Sequence, residues 1–332
     1  MRDKPSKNQK GEGVKKMNDV ITIGDGMITF HPASTGPMRF VNSFERKIGG
    51  AELNFAIGCA RLGLKTGWIS RLGRDEFGRF IKHQMRGEGI DTSEVKLMEG
   101  YPTSLNFKEM SENGSGRTFY YREKSPTSTM TPDDLNEDYF KQAKLLHVTG
   151  VFPAIGGNNA AIVQRALTLA KRYGLLISFD PNIRLKLWSK EEARRVLTSF
   201  LPYVDILLTG EEEADILVGT SDPKEMVQAF FEYGIKTVVI KRGEDGSIAA
   251  SKEEWIEAPS VKVPHVVDTI GAGDGFDAGF IYGVLNQWPL EKTVHFANTV
   301  GAMVVSVRGD NEGLPFYEDV LAFMGEREVI ER

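Results

Sequence analysis

The sequence has almost no cysteine and no long apolar run. Cys59 is the only cysteine among 332 residues, so no disulfide can form within the chain, and a reducing cytoplasm is the expected compartment. No stretch reaches the roughly 18 apolar residues of a membrane span, and no secretory apolar segment follows the amino terminus. The five histidines are scattered, without the spacing of metal ligands. These features argue against zinc chemistry, redox chemistry and a membrane protein.

The chain also lacks an excess of positive charge. Its net charge of -5 argues against nucleic acid or an anionic membrane as the main partner. Positive charge is concentrated in residues 1–16, where six basic and two acidic residues stand with almost no apolar side chain. Such a segment cannot bury enough surface to fold. We therefore predict a disordered extension over residues 1–16 and a folded domain over residues 17–332.

Short apolar runs alternate with amphipathic runs through most of the chain. The apolar runs predict strands at residues 20–23, 66–70, 145–148, 176–179, 205–208 and 237–240. The amphipathic runs predict helices at residues 51–62, 77–86, 159–172, 191–201 and 224–233. This alternation is typical of βαβ units. It predicts a doubly wound α/β fold with a mostly parallel sheet flanked by helices.

Two regions break the alternation and predict a small β-sheet lid. Residues of about 28–44 and 103–122 indicate short strands with polar turns, including Asn113-Gly114, a strong hairpin signal. Apolar residues fall on both alternating sets of these strands, among them Phe40, Phe44, Phe107 and Phe119. Because exposed aromatic residues need cover, we expect the lid to close over a ligand and to pair with a second subunit.

The most informative segment is 267–279 (VDTIGAGDGFDAG), in which three small residues precede Asp274. A helix beginning near Ala272 would offer unpaired backbone N–H groups and the positive end of its dipole. The glycines would let a phosphate approach the backbone closely. A carboxylate there can accept the proton of an attacking hydroxyl while the N–H groups stabilise phosphate charge. This combination is what phosphoryl transfer requires.

Two well-known glycine motifs fit this segment poorly. A dinucleotide-binding fingerprint needs glycine where Phe276 stands, and a P-loop needs a Gly-Lys pair, which the sequence lacks. Asp274 as a plain helix N-cap is the alternative on local sequence alone.

A second glycine turn, residues 241–246 (KRGEDG), follows the predicted strand at 237–240. Such turns are common after strands, so the turn by itself is a weak signal. Lys241 in that turn could touch nucleotide phosphates, because ligands gather at the carboxyl ends of parallel strands.

These motifs together resemble the ribokinase-like (pfkB) family of carbohydrate kinases over nearly all of residues 17–325. One family signature is similar to residues 49–63 (GGAELNFAIGCARLG), and the other to residues 268–274 (DTIGAGD). Residues 73–78 (GRDEFG) stand where the family has Gly-x-Asp-x-x-Gly. The resemblance implies a ribokinase-like fold and a kinase that uses ATP and Mg²⁺.

Three further segments resemble the 2-keto-3-deoxygluconate kinases of this family. They are residues 120–125 (YYREKS), 180–188 (DPNIRLKLW) and 308–313 (RGDNEG). The resemblance implies that the substrate is a sugar acid, 2-keto-3-deoxygluconate, phosphorylated on its primary hydroxyl to the 6-phosphate. It also implies a homo-oligomer formed through the lid.

The resemblance implies a role for each of several residues. Asp274 would be the base, and the anion hole would be formed by the backbone of Gly271, Ala272 and Gly273. Sugar contacts would come from Gly50, Asn54, Asn106, Tyr120, Arg122, Arg184 and Asp310. Nucleotide contacts would come from Gly210, Lys241, Gly243, Gly246 and Asn298. Glu213 would act on Mg²⁺ through water, and Asp268 would lie near a monovalent cation such as K⁺.

The sequence departs from the family pattern at two positions. Gly210 stands where the family often has Asn, so position 210 has no side chain to offer, although Glu213 is retained. Asn106 stands where the subgroup tends to have a sugar-contacting Tyr. Asn can bond a hydroxyl but cannot pack against a sugar face as a ring does.

Several alternatives stay open on sequence alone. Arg122 and Arg184 could be ordinary surface or ion-pairing arginines, and one of Tyr120 and Tyr121 must face away from any site, because strand side chains alternate. Cys59 is better explained as a small buried apolar residue than as a nucleophile. Fructokinase is the competing enzyme, since it shares the glycine motifs. A non-catalytic sugar-binding protein is a further alternative, although binding alone needs no base at Asp274.

Overall fold

The computed structural model describes residues 18–111 and 116–328. Its strands are β1 (Asn18–Ile23), β2 (Met27–Pro32), β3 (Phe44–Gly49), β4 (Thr66–Gly73), β5 (Val95–Met98), β6 (Ser104–Met110), β7 (Gly116–Tyr121), β8 (Ala143–Thr149), β9 (Leu176–Asp180), β10 (Ile206–Gly210), β11 (Thr237–Lys241), β12 (Ser247–Ala250) and β13 (Trp255–Ala258). Its α-helices are α1 (Ala51–Arg61), α2 (Glu76–Gly87), α3 (Glu137–Lys141), α4 (Val151–Ala154), α5 (Asn159–Arg172), α6 (Lys190–Thr198), α7 (Glu211–Val218), α8 (Pro223–Glu232), α9 (Ala272–Leu285), α10 (Leu290–Val304) and α11 (Tyr317–Phe323).

Nine strands form the main sheet, in the order β13-β12-β11-β10-β9-β8-β1-β4-β5. The strands from β11 to β5 are parallel, while β12 and β13 are antiparallel additions at one edge. The chain leaves β1 for β4 on one side and later returns to β8 on the other. Such a reversal opens a crevice at the carboxyl ends of the strands, where ligands bind in open α/β sheets. The predicted doubly wound sheet is confirmed.

Helices cover both faces of this sheet, which explains why most residues of its central strands are buried. On one face, Ile162, Leu197 and Phe230 of α5, α6 and α8 pack onto the sheet. On the other, Phe55 of α1 and Phe280 of α9 do so. The predicted core strands and helices are present, with ends that shift by at most three residues. None of the described helices is long and apolar enough to cross a membrane.

The predicted lid is a separate four-stranded sheet in the order β3-β2-β6-β7. Its β3 strand runs to Gly49, so the lid extends beyond the predicted 28–44 range, and a short 3₁₀ turn at Met38–Phe40 interrupts that range. The β6–β7 hairpin pairs Met110 with Gly116. The predicted Asn113-Gly114 turn lies outside the described residues.

The two faces of the lid differ, which corrects the expectation of apolar residues on both. Phe30, Phe44 and Phe107 pack together on one face, with ring centroids 4.6 Å apart for Phe30–Phe107 and 5.4 Å apart for Phe44–Phe107. The opposite face presents mostly polar side chains, which are Thr29, His31, Ser104, Asn106 and Lys108, all of them buried. The polar face is turned toward the body of the molecule. Phe40 belongs to neither face, because it lies in the 3₁₀ turn and is 73% exposed.

Candidate active site

Helix α9 begins at Ala272, as predicted, and Gly271 is its N-cap at φ 80°. This left-handed conformation favours glycine. A Cβ at position 271 would also collide with the backbone oxygen of Asp310, so the site has no room for a side chain. The first turn of α9 therefore lies beside a closely packed loop. The N–H of Ala272 donates to the backbone oxygen of Thr269 at 3.4 Å, and the start of a helix in general favours an anion.

Asp274 lies in this first turn and is buried. Asn54 of α1 donates to its Oδ2 at 2.8 Å, and Asn182 donates to its Oδ1 at 3.5 Å. Burial raises the pKa of Asp274 to about 7, and the nearby Asp180 carboxylate adds to this, whereas Asn54, Arg184 and Lys241 oppose it. A carboxylate with a pKa close to neutrality is well suited to accept a proton at physiological pH.

The loop after β9 supplies Asn182 in an unusual conformation. Its φ is 36°, in the left-handed region, and its N–H donates to Asp180 Oδ1 at 3.1 Å. Asn adopts this region more readily than most residues because its short side chain can bond locally. The turn directs the Asn182 amide toward Asp274, and Arg184, two residues further on, is exposed.

Lys241 at the end of β11 forms a buried ionic cluster. Its Nζ lies 3.1 Å from Asp180 Oδ2 and 3.1 Å from Asp277 Oδ1. Burial lowers the pKa of Lys241, but Asp180, Asp277 and Glu213 outweigh it, so the pKa is raised and the ammonium stays charged. The Nζ is also 3.7 Å from the point where a Cβ on Gly273 would lie. The cluster thus places a cation beside the start of α9.

The acidic partners of Lys241 are not equivalent. Burial raises the pKa of Asp277 well above its usual range, and its Oδ2 is buried with no hydrogen-bond partner among the described residues. For Asp180 burial also raises the pKa, but the neighbouring Lys241 ammonium opposes it, and the net shift is downward. The pKa values of the two acids are therefore shifted in opposite directions beside the same ammonium group.

Glu213 organises two backbone turns near this cluster. Its Oε2 accepts the N–H of Gly210 at 2.9 Å, and its Oε1 accepts the N–H of Ile183 at 2.8 Å. Burial and the charge of Asp180 raise its pKa. Gly210 is the N-cap of α7. The carboxylate therefore joins the end of β10 to the loop after β9.

Five of the seven predicted sugar residues fall into two groups. Gly50 and Asn54 lie at the start of α1, where Gly50 has φ 139° and a Cβ would lie 2.5 Å from the backbone oxygen of Asp25. Asn106 and Tyr120 face each other across β6 and β7 of the lid. The Arg122 guanidinium lies over the Tyr120 ring, 4.7 Å from its centroid. As expected from strand alternation, Tyr121 faces the other way, against Phe107 at 5.8 Å.

The side chain of Asp310 is held by two lid residues. Lys108 Nζ lies 2.5 Å from its Oδ1, and His31 Nε2 lies 3.5 Å from the same oxygen. Burial raises the pKa of Asp310, but these two neighbours outweigh it, and the pKa is lowered. Neither Lys108 nor His31 was predicted from the sequence. The alternation of buried polar residues along β2 and β6 is the signal that could have found them.

Two further buried acids near the site were missed. Asp25, just after β1, accepts the hydroxyls of Ser104 at 2.9 Å and Ser125 at 3.1 Å. Glu52 of α1 accepts the Thr149 hydroxyl at 2.5 Å, and burial raises its pKa to about 7. Both acids come from strand ends or helix starts at the crevice, where sequence patterns show only that a polar residue is present.

The predicted nucleotide residues lie around the turn after β11. Gly243 and Gly246 have φ of 58° and 85°. Asn298 of α10 accepts the Ser247 hydroxyl at 3.1 Å and donates to the backbone oxygen of Pro259 at 3.2 Å. Asn298 therefore ties α10 to β12 and to the loop after β13.

Asp268 caps its own loop. Its Oδ1 accepts the N–H of Ile270 at 3.1 Å, and its Oδ2 accepts the N–H of Gly309 at 3.4 Å. Among residues 18–111 and 116–328, no three His, Cys, Asp or Glu side chains are grouped to hold a metal ion. Cys59 is buried within α1, and burial raises the pKa of its thiol well above the usual value. The cysteine is therefore placed as an apolar residue rather than a nucleophile.

Comparison with known proteins agrees with this architecture. Residues 17–316 match the family described as pfkB family carbohydrate kinase. A Bacillus subtilis 2-dehydro-3-deoxygluconokinase is 33% identical over 94% of this chain and 97% of its own length. A Geobacillus thermodenitrificans 5-dehydro-2-deoxygluconokinase is 35% identical over 87% of each chain. The solved structure of an E. coli protein described as a candidate ribokinase II, in complex with ATP and Mg²⁺, superposes with a TM-score of 0.87 at 27% identity, covering 93% of this chain and 100% of that one.

The fold is ribokinase-like, with a large, mostly parallel sheet between helices and a small second sheet. The chain belongs to the pfkB family of carbohydrate kinases. It is a phosphotransferase whose acceptor is an alcohol group.

Proposed function

We propose that this kinase transfers the γ-phosphoryl group of ATP to the primary hydroxyl of 2-keto-3-deoxygluconate, also called 2-dehydro-3-deoxygluconate. The main support is the buried Asp274 at the start of α9, whose pKa is raised to about 7 beside the charged Lys241. A relative that shares 33% of its residues with this chain is named for that substrate. A related solved structure holds ATP and Mg²⁺.

In this mechanism Asp274 takes the proton of the sugar hydroxyl. The hydroxyl oxygen bonds to the γ-phosphorus, and the bond from that phosphorus to ADP breaks. Asn54, at 2.8 Å, fixes the carboxylate so that its basic oxygen is aimed at the hydroxyl. The backbone N–H groups of Gly271 to Gly273 stabilise the charge on the transferred group. Lys241 adds a cation at the same place. Base and anion hole thus lie within one helical turn.

Mg²⁺ bound with ATP would neutralise charge on the phosphates. Carboxylate oxygens are suitable ligands for it, and Glu213 is the residue we assign to it. Both Glu213 oxygens already accept backbone N–H groups, so we assign its action to a metal-bound water. We also assign Asp268 to a monovalent cation near the anion hole, since its carboxylate borders Gly309 and the 271 turn.

Two arginines support a sugar acid as the substrate. A carboxylate moved out of water needs a charged partner, and Arg forms two parallel bonds to one. Burial raises the pKa of both Asp274 and Asp25, and the charge of Arg184 opposes that rise at Asp274 while the charge of Arg122 opposes it at Asp25. The two guanidinium groups therefore border the crevice from the main sheet and from the lid.

A second sugar acid, 5-dehydro-2-deoxygluconate, is a specific alternative. A relative named for it is 35% identical. Asn106 stands where the 2-keto-3-deoxygluconate subgroup tends to have Tyr, and its Oδ1 is buried without a hydrogen-bond partner among the described residues. An unsatisfied amide oxygen of this kind would accept a hydroxyl from a sugar with a different pattern of keto and deoxy positions.

The deciding experiment is kcat/KM for 2-keto-3-deoxygluconate, 5-dehydro-2-deoxygluconate and fructose, measured in wild type and Arg184→Ala. We expect 2-keto-3-deoxygluconate to be used best. Arg184→Ala should reduce kcat/KM for the acids about 10- to 100-fold and affect fructose less, because a charge-assisted hydrogen bond is lost. Arg172→Ala, an exposed arginine at the end of α5, is the matched control.

Each result has a defined meaning. Preference for 5-dehydro-2-deoxygluconate would establish the second candidate. Preference for fructose would make the chain a fructokinase. No turnover of any sugar, with sugar binding intact, would contradict the kinase mechanism and favour a binding protein.

A further inference from the structure

The loop of residues 308–313 is fastened to the lid by charged side chains. Lys108 of β6 binds Asp310 Oδ1 at 2.5 Å, with His31 of β2 at 3.5 Å from the same oxygen. Lys47 of β3 donates to the backbone oxygen of Arg308 at 2.8 Å. The Lys108 side chain is 8% exposed and that of Asp310 11%. The pair is therefore formed almost entirely out of water.

The same loop is packed against the catalytic helix start. The backbone of Asp310 fills the space where a Cβ of Gly271 would lie. Gly309 donates its N–H to Asp268 at 3.4 Å. Asn311 donates to the backbone oxygen of Ile48 at 2.7 Å. The side chain of Asp310 thus contacts the lid, while its backbone packs against Gly271 at the start of α9.

A buried carboxylate in this position needs a fixed cation. Without one, Asp310 would carry an uncompensated charge in a crevice that must accept a second carboxylate from a sugar acid. Lys108 offsets that charge and takes up Oδ1, whereas Oδ2 lies over Gly49, 2.6 Å from where a Cβ of residue 49 would be. The lowered pKa of Asp310 agrees with an ionised carboxylate beside the Lys108 ammonium.

We propose that Lys108 is a positioning residue of the kinase reaction, holding Asp310 so that its Oδ2 receives the sugar and its backbone keeps the anion hole in place. This inference rests on the proposed sugar-kinase function of the same site. Lys108 itself need not touch the substrate. Its effect passes through Asp310, which spans the lid and Gly271.

A double-mutant cycle on the full chain tests this inference. Lys108→Met, Asp310→Asn and the double variant are compared with wild type, using the panel sugar that wild type phosphorylates best. Each single variant should reduce kcat/KM for the sugar about 10- to 100-fold, while KM for ATP stays within about twofold. Because the two residues act as a unit, the double variant should lose no more activity than the less active of the two single variants.

Lys144→Met is the control, because it also breaks a Lys–Asp pair. Lys144 Nζ lies 2.7 Å from Asp19 Oδ1, and this pair is at the amino ends of the strands, away from the crevice. Its kcat/KM should equal that of wild type. All variants are assayed below their melting temperatures. If Lys108→Met does not fold, Lys108→Gln replaces it. The double variant serves the same purpose, because Asp310→Asn removes the carboxylate charge that the loss of Lys108 leaves unpaired.

Two results would overturn the inference. One is a Lys108→Met or Lys108→Gln enzyme that keeps kcat/KM within about threefold of wild type. The other is a double variant whose loss equals the product of the single losses, since that would mean independent roles.

General loosening of the structure would also contradict the inference. Its sign would be a fall in melting temperature with equal increases of KM for sugar and ATP. A different preferred sugar would change only the proposed substrate, whereas complete absence of sugar phosphorylation would overturn both the inference and the proposed function.

Discussion

Among the individual residues, the proposed chemistry depends on Asp274 and on what surrounds it. The carboxylate is buried, yet it accepts hydrogen bonds from two amides, Asn54 and Asn182. The amides fix its orientation, while burial makes it a stronger base by raising its pKa. Orientation and basicity are therefore supplied by different neighbours and can be tested separately.

Asp274→Asn should abolish the base while keeping the volume and a hydrogen bond with Asn54. We expect kcat to fall about 10²- to 10⁴-fold, with sugar binding retained, as measured by steady-state kinetics and calorimetry. Asp19→Asn, at the amino end of the sheet, serves as the control. A variant with near-normal turnover would show that another group is the base.

The pH dependence of kcat/KM should report the raised pKa of Asp274, which is about 7. The protonated carboxyl cannot act as a base, so activity should fall about tenfold for each pH unit below about 6 and level off above about 8. Glu52→Gln should move this limb to lower pH. The Asp274 carboxylate raises the pKa of Glu52, and repulsion between two carboxylates acts on both. A profile that is flat down to pH 5 would contradict the assignment.

Among the helices and strands, the start of α9 depends on Gly271. Gly271→Ala places a side chain at φ 80° and against the backbone of Asp310, so the 308–313 loop must shift. The left-handed conformation alone costs about 1–2 kcal/mol, and we expect a clear fall in melting temperature together with loss of activity. Calorimetry and kinetics measure the two effects.

Gly273→Ala is the matched comparison for stability. Its nearest neighbour, Lys241 Nζ, is 3.7 Å from the new Cβ, an ordinary contact, and its φ lies outside the left-handed region. Its melting temperature should therefore stay close to that of wild type. Equal destabilisation by the two substitutions would show that backbone conformation at 271 is not the cause.

For the molecule as a whole, the lid leaves an aromatic face uncovered. Phe119 and Tyr121 of β7 are 37% and 58% exposed, next to the packed Phe30 and Phe107. A patch of this kind is typical of a protein–protein contact. We expect light scattering to show a dimer, and Phe119→Ser/Tyr121→Ser to shift it to monomer. Phe323→Ser, an exposed aromatic on α11, should leave the dimer intact. A wild-type protein that is strictly monomeric would contradict the predicted dimerisation through the lid.

The local features of this protein were predictable from its amino-acid order. Periodicity is a property of neighbouring residues, so the strands and helices of the core were found with small errors at their ends. The helix start at Ala272 was also predicted, because glycine and small residues act on the backbone where they stand. The prediction of a lid was correct in outline, but its two faces were not distinguished, since that requires the pairing register of four strands.

The contacts around the proposed base Asp274, by contrast, were decided by the tertiary structure. Asn54 and Asp274 are 220 residues apart in the chain, and Lys108 and Asp310 are 202 apart. No local pattern records such contacts, because they arise when βαβ units and the lid fold onto one another. The raised pKa of Asp274 has the same origin, since burial is a property of the assembled crevice. Local residue patterns thus indicated the proposed base and the proposed anion hole, while folding set the basicity and orientation of Asp274.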